Sequence, residues 1–328
     1  MSELNFAAIE GRGVHVDQYL TQIALNYKPK GFIAEEIFPV VPVAKKSDSF
    51  IQWNQGDLFR HWETKRAPGT RAPLMRVEAS SAQYFCQNYA LRNPVTDEDR
   101  AGADAIFIRH LEEGRPMQLL DAIRIDSEVR IANKLRTAAN VGASVVVASA
   151  WSDHTVADPL TDMWTVIENI RLATGYRPNR AVFSQVAWNE FSRNDAVISK
   201  VNATGVSGGD LPATREQAER LLELERVLVG AAAYNTANEA KPMSLTDVWG
   251  DDVLVYYAPA RPSIQEPSAG YTFRWRSPEL LAGGDMAVFR HPYDSREGAQ
   301  DIEVRLYQTE DIVAPPLINS IKGINSSQ

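Results

Sequence analysis

The sequence predicts an α+β fold built around one long helix, and three stretches carry that prediction. Arg115 to Val141 is the longest uninterrupted helical pattern in the chain. Ser49 to Leu91 holds two strand-type segments on either side of a polar tip. From Ala181 to Val229 short strand and helix patterns alternate, as in a separate α/β unit.

In the long helix Leu119, Ala122, Ile125, Val129, Ala132, Leu135 and Ala139 recur at gaps of three and four, so they stack along one side, and Leu120, Ile123 and Ile131 widen the stripe. Pro116 suits a first helical turn, where its missing N–H costs nothing, and Gly142 lies just past the end, where a left-handed residue is often needed. Lys134 and Arg136 complement the dipole, and Asp126 and Arg130 form an i,i+4 pair. Such a helix spans roughly 36 Å, a strut longer than the average globular helix. Its acids and bases are interspersed rather than gathered on one face, so nothing on it spells chemistry. An ordinary long core helix of an enzyme would show the same period.

With 328 residues, 36.5 kDa and 44% hydrophobic content, the chain has enough apolar side chains for two domains or one large one. A net charge of -8 and a pI near 5.3 argue against a tight, sequence-independent grip on phosphate backbones. Cys86 is the single cysteine, which leaves no intrachain disulfide and no thiol zinc site. No apolar run approaches the ~20 residues of a membrane span, and Met1 to Phe6 lacks the pattern of a signal peptide. Both point to synthesis in the cytoplasm and to no membrane partner.

Taken in order, residues 1 to about 30 carry no sustained period, with room for a short helix over Leu20 to Leu25, and read as an arm that leans on something else. The two prolines of Phe32–Val43 confine it to edge-strand or extended conformations. Ser49–Trp62 and Gln83–Leu91 suit strands, with the exposed loop Glu63–Pro73 between them. Such a β-arm has too little core to stand alone, so it implies a partner surface. Asn93 to Asp99 reads as a turn into a helical lead-in, Ala101 to Glu113. Val145–Ala148 is a short strand, and Asp158-Pro159 starts an amphipathic helix through Ala173. The α/β unit follows: strand Ala181–Phe183, helices Gln185–Ser192, Ala196–Asn202 and Thr214–Leu224, and strand Val227–Val229. Val253–Tyr257 and Tyr271–Trp275 are strands, and Asp301–Tyr307 and Asp311–Val313 alternate like half-buried antiparallel strands.

Several motifs have to be weighed against plainer readings. Gly205-Val-Ser-Gly-Gly209 matches the letters of a nucleophile elbow, with Asp251 and His291 following in hydrolase order. That chemistry needs the serine on a sharp strand-to-helix turn, whereas here a helical pattern precedes it and Asp210-Leu-Pro212 follows; a flexible loop fits better. The five histidines are scattered and none has metal-ligand spacing. Ser152-Asp153-His154 reads as a turn, and Asp97-Glu98-Asp99 as a solvated helix start. No phosphate-binding glycine loop is present. Lys65, Arg66, Arg71 and Arg76 make the arm's tip basic, near Trp53, Phe59 and Trp62. A nucleic-acid stacking surface is one reading. Protein contact is the better one, since Trp, Phe and Arg anchor interfaces, and it makes Trp53, Phe59, Trp62, Arg66 and Arg71 the candidate intersubunit contacts.

Four stretches together resemble the major capsid proteins of tailed bacteriophages, the Hong Kong 97-type fold. They are Phe32–Val43, Arg66-Ala-Pro-Gly69, Thr174-Gly-Tyr-Arg-Pro-Asn179 ahead of a strand, and Val248-Trp-Gly250 followed by Tyr256-Tyr-Ala-Pro259. The resemblance runs from about residue 30 to about residue 320 in the family's order. It implies an N-terminal arm at 1–46, an extended β-hairpin loop at 47–92 that reaches over a neighbour, and an axial domain at 175–285. It further implies a peripheral domain at 93–174 and 286–328 with a spine helix at about 116–140.

On that resemblance the chain is a coat protein. It closes on itself into pentamers and hexamers of an icosahedral head around double-stranded DNA, without sequence-specific DNA binding. No cofactor, metal or catalytic residue is implied. Only about thirty residues precede Phe32, short of the N-terminal extension of relatives that carry their own scaffold, so a separate scaffolding protein is implied, with a portal and decoration proteins as further partners. An encapsulin-like nanocompartment shell is the alternative on the same fold. A serine hydrolase using Ser207 is the alternative from another class.

Overall fold

In the computed structural model the described residues are 15–27, 31–53, 61, 64–66, 68–69, 71–72, 74–75, 79–102, 105–203, 211–238, 240–263, 266–280 and 284–325. Strand β1 (His15–Val16) leads into helix α1 (Gln18–Asn26), whose first turn is capped by the Asp17 carboxylate accepting from the Leu20 amide. The short helix α2 (Ala34–Ile37) and strand β2 (Val40–Val43) follow. Strands β3 (Ser47–Trp53) and β4 (Ala79–Phe85) pair as an antiparallel ribbon, and β5 (Gln87–Thr96) continues from it. Helix α3 (Asp97–Ala101) precedes the 32-residue α4 (Ala105–Arg136).

Strand β6 (Ala143–Val146), α5 (Pro159–Thr174), β7 (Arg180–Ser184), α6 (Gln185–Arg193), α7 (Asp195–Ala203), α8 (Arg215–Leu222) and β8 (Arg226–Gly230) form the middle of the chain. The remainder is strands: β9 (Ala233–Asn235), β10 (Leu245–Asp247), β11 (Val253–Tyr256), β12 (Gly270–Trp275), β13 (Met286–Arg290), β14 (Ala299–Ile312) and β15 (Ile318–Lys322).

Two sheets enclose the long helix. The first runs β1-β13-β14-β12-β2, with β5 also paired to β14; the second runs β6-β15-β11-β7-β8. The N-terminal half of α4 packs Leu119, Leu120 and Ile123 with α1 against Met286, Val288, Ile302, Val304 and Leu306 of the first sheet. Its C-terminal half packs Ile131, Ala132 and Leu135, with Ile33 and Ile37, against Val182, Leu228, Leu254 and Tyr256 of the second. The other face of the second sheet is covered by α5 to α8, and the other face of the first sheet by Phe50, Tyr84 and Cys86 from the base of the β3–β4 ribbon. Each fully buried Leu, Ile or Phe contributes about 1.5 to 3 kcal/mol, so the helix is held from both sides.

The helix departs from its sequence reading in three ways. It starts about three turns earlier, at Ala105, and Pro116 lies buried inside it rather than at its first turn. Packing of the Leu111, Leu119 and Leu120 side against the first sheet outweighs the one ladder bond a proline removes. Gly142 has no left-handed backbone; a Cβ there would lie 2.8 Å from Pro316 Cα, so the residue serves a close approach of two segments of the chain. Ala122 and Ala139 are exposed, and the buried seam instead passes through Ser127 and Glu128.

Phe32–Val43 is not extended throughout, because Ala34–Ile37 makes a helical turn, while Pro42 does lie in an edge strand, parallel to β12. Asn93–Thr96 is strand rather than turn. Pro94 opposes Asp301 within β5, which borders only β14, and Thr96 then caps α3 with a reciprocal box to Asp99. Strand pairing also crosses the expected domain limits: β6 and β15 join the second sheet with β7, β8 and β11, and β12 joins the first.

Candidate assembly surfaces

The β3–β4 ribbon is tied down at its base. Phe50 and Tyr84 are its buried aromatics, and both lie against Phe273 of β12, with ring centroids 5.4 and 4.8 Å away. Cys86 donates its S–H to the Phe273 carbonyl at 3.5 Å, and burial pushes the thiol up to about 11, which leaves it inert at neutral pH. Lys46 lies over the Phe85 ring at 5.3 Å, and Lys45 pairs with Asp48 at 2.9 Å. Further out, Leu74 is 69% exposed and Met75 49%. Among the described residues of the ribbon few side chains are buried, so it draws little stability from within.

The arm lies along α4 on three acidic rungs. Tyr19 donates its hydroxyl to Glu113 at 2.7 Å, Tyr27 to Asp121 at 2.9 Å, and the Ile33 amide donates to Glu128 at 3.1 Å. The hydrogen bond to Asp121 and then partial burial raise the Tyr27 phenol above its ordinary value. Glu128 is 0% exposed and also accepts from the Trp249 indole at 2.8 Å. Burial pushes its carboxyl up to about 7, opposed by the donors from Trp249, Ile33 and Ala34.

One residue back on the helix a second joint begins. The Glu310 carboxylate of β14 accepts from Ser127 at 3.0 Å, from Arg130 at 2.7 Å and from Gln308 at 2.9 Å, and Lys134 donates to the Glu310 carbonyl. Arg130 also pairs with Asp126, as its spacing predicts, and its guanidinium stacks 3.9 Å from the Tyr89 ring centroid. Burial works to raise the Glu310 carboxyl, but Arg130, Ser127 and Lys134 together hold it below its usual value. These contacts link the N-terminal segment, the helix and both sheets.

No family model matches the sequence. The chain is 26% identical over 326 residues to the major capsid protein of Burkholderia phage BcepMu, covering 94% of this chain and 97% of that protein. Among solved structures, a phage-related protein from Bordetella bronchiseptica RB50 matches with a TM-score of 0.71 at 24% identity, over 95% of this chain and 98% of the other. The mature capsid of bacteriophage PhiM1 matches with a TM-score of 0.57 at 13% identity, over 90% and 88%. This is the Hong Kong 97-type capsid fold.

Within the capsid fold, Trp53 stands at the last described rung of β3, opposite Ala79, and Arg66 and Arg71 are exposed in the segment between β3 and β4. Phe59 and Trp62 lie outside the described residues. So does Ser207, the nucleophile of the hydrolase alternative. His291 bonds Glu303 at 2.6 Å rather than Asp251, which lines a polar cleft with Arg136 and Lys322. Ser152 to His154 is a turn, with His154 bonded to Glu190 at 2.6 Å. Among the described residues no group of three His, Cys, Asp or Glu is placed to hold a metal, and no helix is long and apolar enough to cross a membrane.

Sequence reading missed Glu128, Glu310 and the two arm tyrosines, and gave Trp249 only as part of the Val248-Trp-Gly250 stretch. One signal was present. Glu128 falls inside the apolar stripe, four residues before Ala132 and five after Ile123, where a solvated acid does not belong.

Proposed function

We propose that the chain is a major capsid protein that assembles into hexamers and pentamers of an icosahedral head enclosing viral double-stranded DNA. The observation that carries this reading is the likeness to the BcepMu major capsid protein over nearly the whole of both chains. The fold supports it, and so does an acidic net charge of -8, since a container that must release its genome gains nothing by gripping it. The chain acts by contact rather than by catalysis, and its place is the shell of a virion, after synthesis in the host cytoplasm.

In this role residues 47–92 are the extended loop, and Trp53, Phe59, Trp62, Arg66 and Arg71 touch a neighbouring subunit. Residues 1–46 are the arm. The peripheral domain takes 93–174 and 286–328, and the axial domain takes 175–285. A separate scaffolding protein guides assembly, and a portal and decoration proteins complete the head.

Sizing and negative-stain microscopy of the purified protein, followed by nuclease protection, test the proposal. Closed shells or ring-shaped capsomers, with nuclease-resistant DNA in particles from infected cells, are expected. A stable monomer at high concentration overturns it. Shells that hold protein cargo and no nucleic acid replace it with the nanocompartment reading.

A further inference from the structure

The arm, the spine helix and the first sheet do not close completely on one another. Between them lies a cavity of about 370 Å³, which falls in the size range of small-molecule sites. Part of its lining is apolar. Leu120 and Ile123 of α4, Met286 of β13 and Leu306 of β14 border it, and all four are buried.

The rest of the lining is polar, and its charges do not balance. Each acid there has a cation of its own. Glu35 of α2 pairs with Arg274 of β12 at 2.9 Å, Glu36 with Arg226 of β8 at 3.0 Å, and Asp285, just ahead of β13, with Arg276 at 3.5 Å. Arg124 of α4 is the exception. It is partly buried on the cavity wall, and among the described residues its guanidinium forms neither an ion pair nor a hydrogen bond. It acts on Glu35 only through space, and Asp121, one turn earlier, accepts from Tyr27 instead. The lining therefore carries one uncompensated positive charge beside an apolar surface.

We propose that this cavity binds a small amphipathic monoanion, an unbranched fatty carboxylate of medium length, with its carboxylate on Arg124 and its chain along Leu120, Ile123, Met286 and Leu306.

The match is one of charge, geometry and size. A guanidinium presents paired N–H donors that fit the two oxygens of a carboxylate. A neutral chain would leave those donors without an acceptor, a cation would meet Arg124 unopposed, and a second negative charge would find no counterion, because the other cations are already paired. The volume lies near the lower end of the range for such sites, which suits a chain of about eight carbons. A ligand held there touches α2, α4 and the first sheet at once, so it fastens the arm to its seat. The cavity lies within one subunit, so the inference stands whether or not the chain forms a shell.

Calorimetric titration of the full-length chain with butyrate, hexanoate and octanoate, alongside octanol and octylammonium, tests the proposal. Affinity is expected to rise by about fourfold for each methylene added. Octanol should bind at least about tenfold more weakly than octanoate, and octylammonium more weakly still. Arg124→Leu should lose the preference for octanoate over octanol, while Arg124→Lys keeps it. Hydrogen exchange locates the site, with octanoate raising protection over residues 120–127 and 286–290. Octanoate that gives no heat at millimolar concentration, octanol that binds as tightly, a preference that survives in Arg124→Leu, or protection gained only elsewhere overturns it. Should Arg124→Leu fail to fold, the octanoate and octanol titrations of the wild-type chain and its exchange map decide.

Discussion

Glu128 and Glu310 are buried to nearly the same degree, 0% and 2% exposed, and both anchor to the same turn of α4. Yet burial raises the first carboxyl, while the second is held below its usual value. The difference lies in the partners. Glu128 meets an indole and backbone amides, which are neutral donors; Glu310 meets the Arg130 guanidinium and, through its own carbonyl, the Lys134 ammonium. Desolvation is common to both, so a formal charge within hydrogen-bond reach decides the direction. One acid is thereby held by formal charge, and the other by neutral donors.

The severest way to break the comparison is to remove the helix that carries it. Val129→Pro deletes a ladder bond and drives a ring into the preceding turn, between the residues that build the two joints, at a cost of about 3 kcal/mol or more. Loss of assembled particles and a lower denaturation midpoint are expected; particles of normal yield would show that neither joint matters to assembly.

Arg130→Met tests whether charge alone separates the two acids. The pair is well shielded, with side-chain exposures of 22% and 3%, so leaving Glu310 unpaired should cost about 3 kcal/mol near neutral pH. The pH dependence should change sign as well. In the wild-type chain the contribution of Glu310 is present above its ordinary 4.5 and is lost as pH falls through its depressed value. In Arg130→Met burial is no longer opposed by Arg130, and stability should fall as pH rises. Urea midpoints at acidic and mildly alkaline pH measure both effects, and an unchanged sign would mean that Lys134 and Ser127 suffice.

Trp249→Phe works on the other acid. It removes the donor that most opposes burial at Glu128, so the carboxyl should titrate above its value of about 7, and stability should drop by about 1 to 2 kcal/mol. A Glu128 midpoint that stays put would assign the restraint to the Ile33 and Ala34 amides instead.

What the sequence made legible follows from the same physics. Periodic apolar positions located α4 and α5, and cap residues such as Asp158 and Thr214 marked helix starts within a residue or two. β15 stayed hidden because its centre, Asn319-Ser320, is polar yet buried, and is satisfied by the Ala143 amide and the Ser144 hydroxyl, partners that only the fold brings close. Glu128 and Glu310 were illegible as joints for the same reason, since their partners lie 121 and 180 residues away. The basic residues Lys65, Arg66 and Arg71 were visible in composition, and all three are exposed.

The mildest test lies at the middle rung of the arm. Tyr27→Phe removes only the hydroxyl that Asp121 accepts, in a partly exposed contact, so a loss of about 0.5 kcal/mol is the scale to expect near neutral pH. Its value is in the pH profile. The raised Tyr27 phenol contributes stability that is present below its ordinary 10.0 and is lost as pH rises through its elevated value, a window well above that of Glu128. Hydrogen exchange in the arm should therefore lose its strongly alkaline phase in Tyr27→Phe. A strongly alkaline phase that survives in Tyr27→Phe would show that the Tyr27–Asp121 contact does not set it.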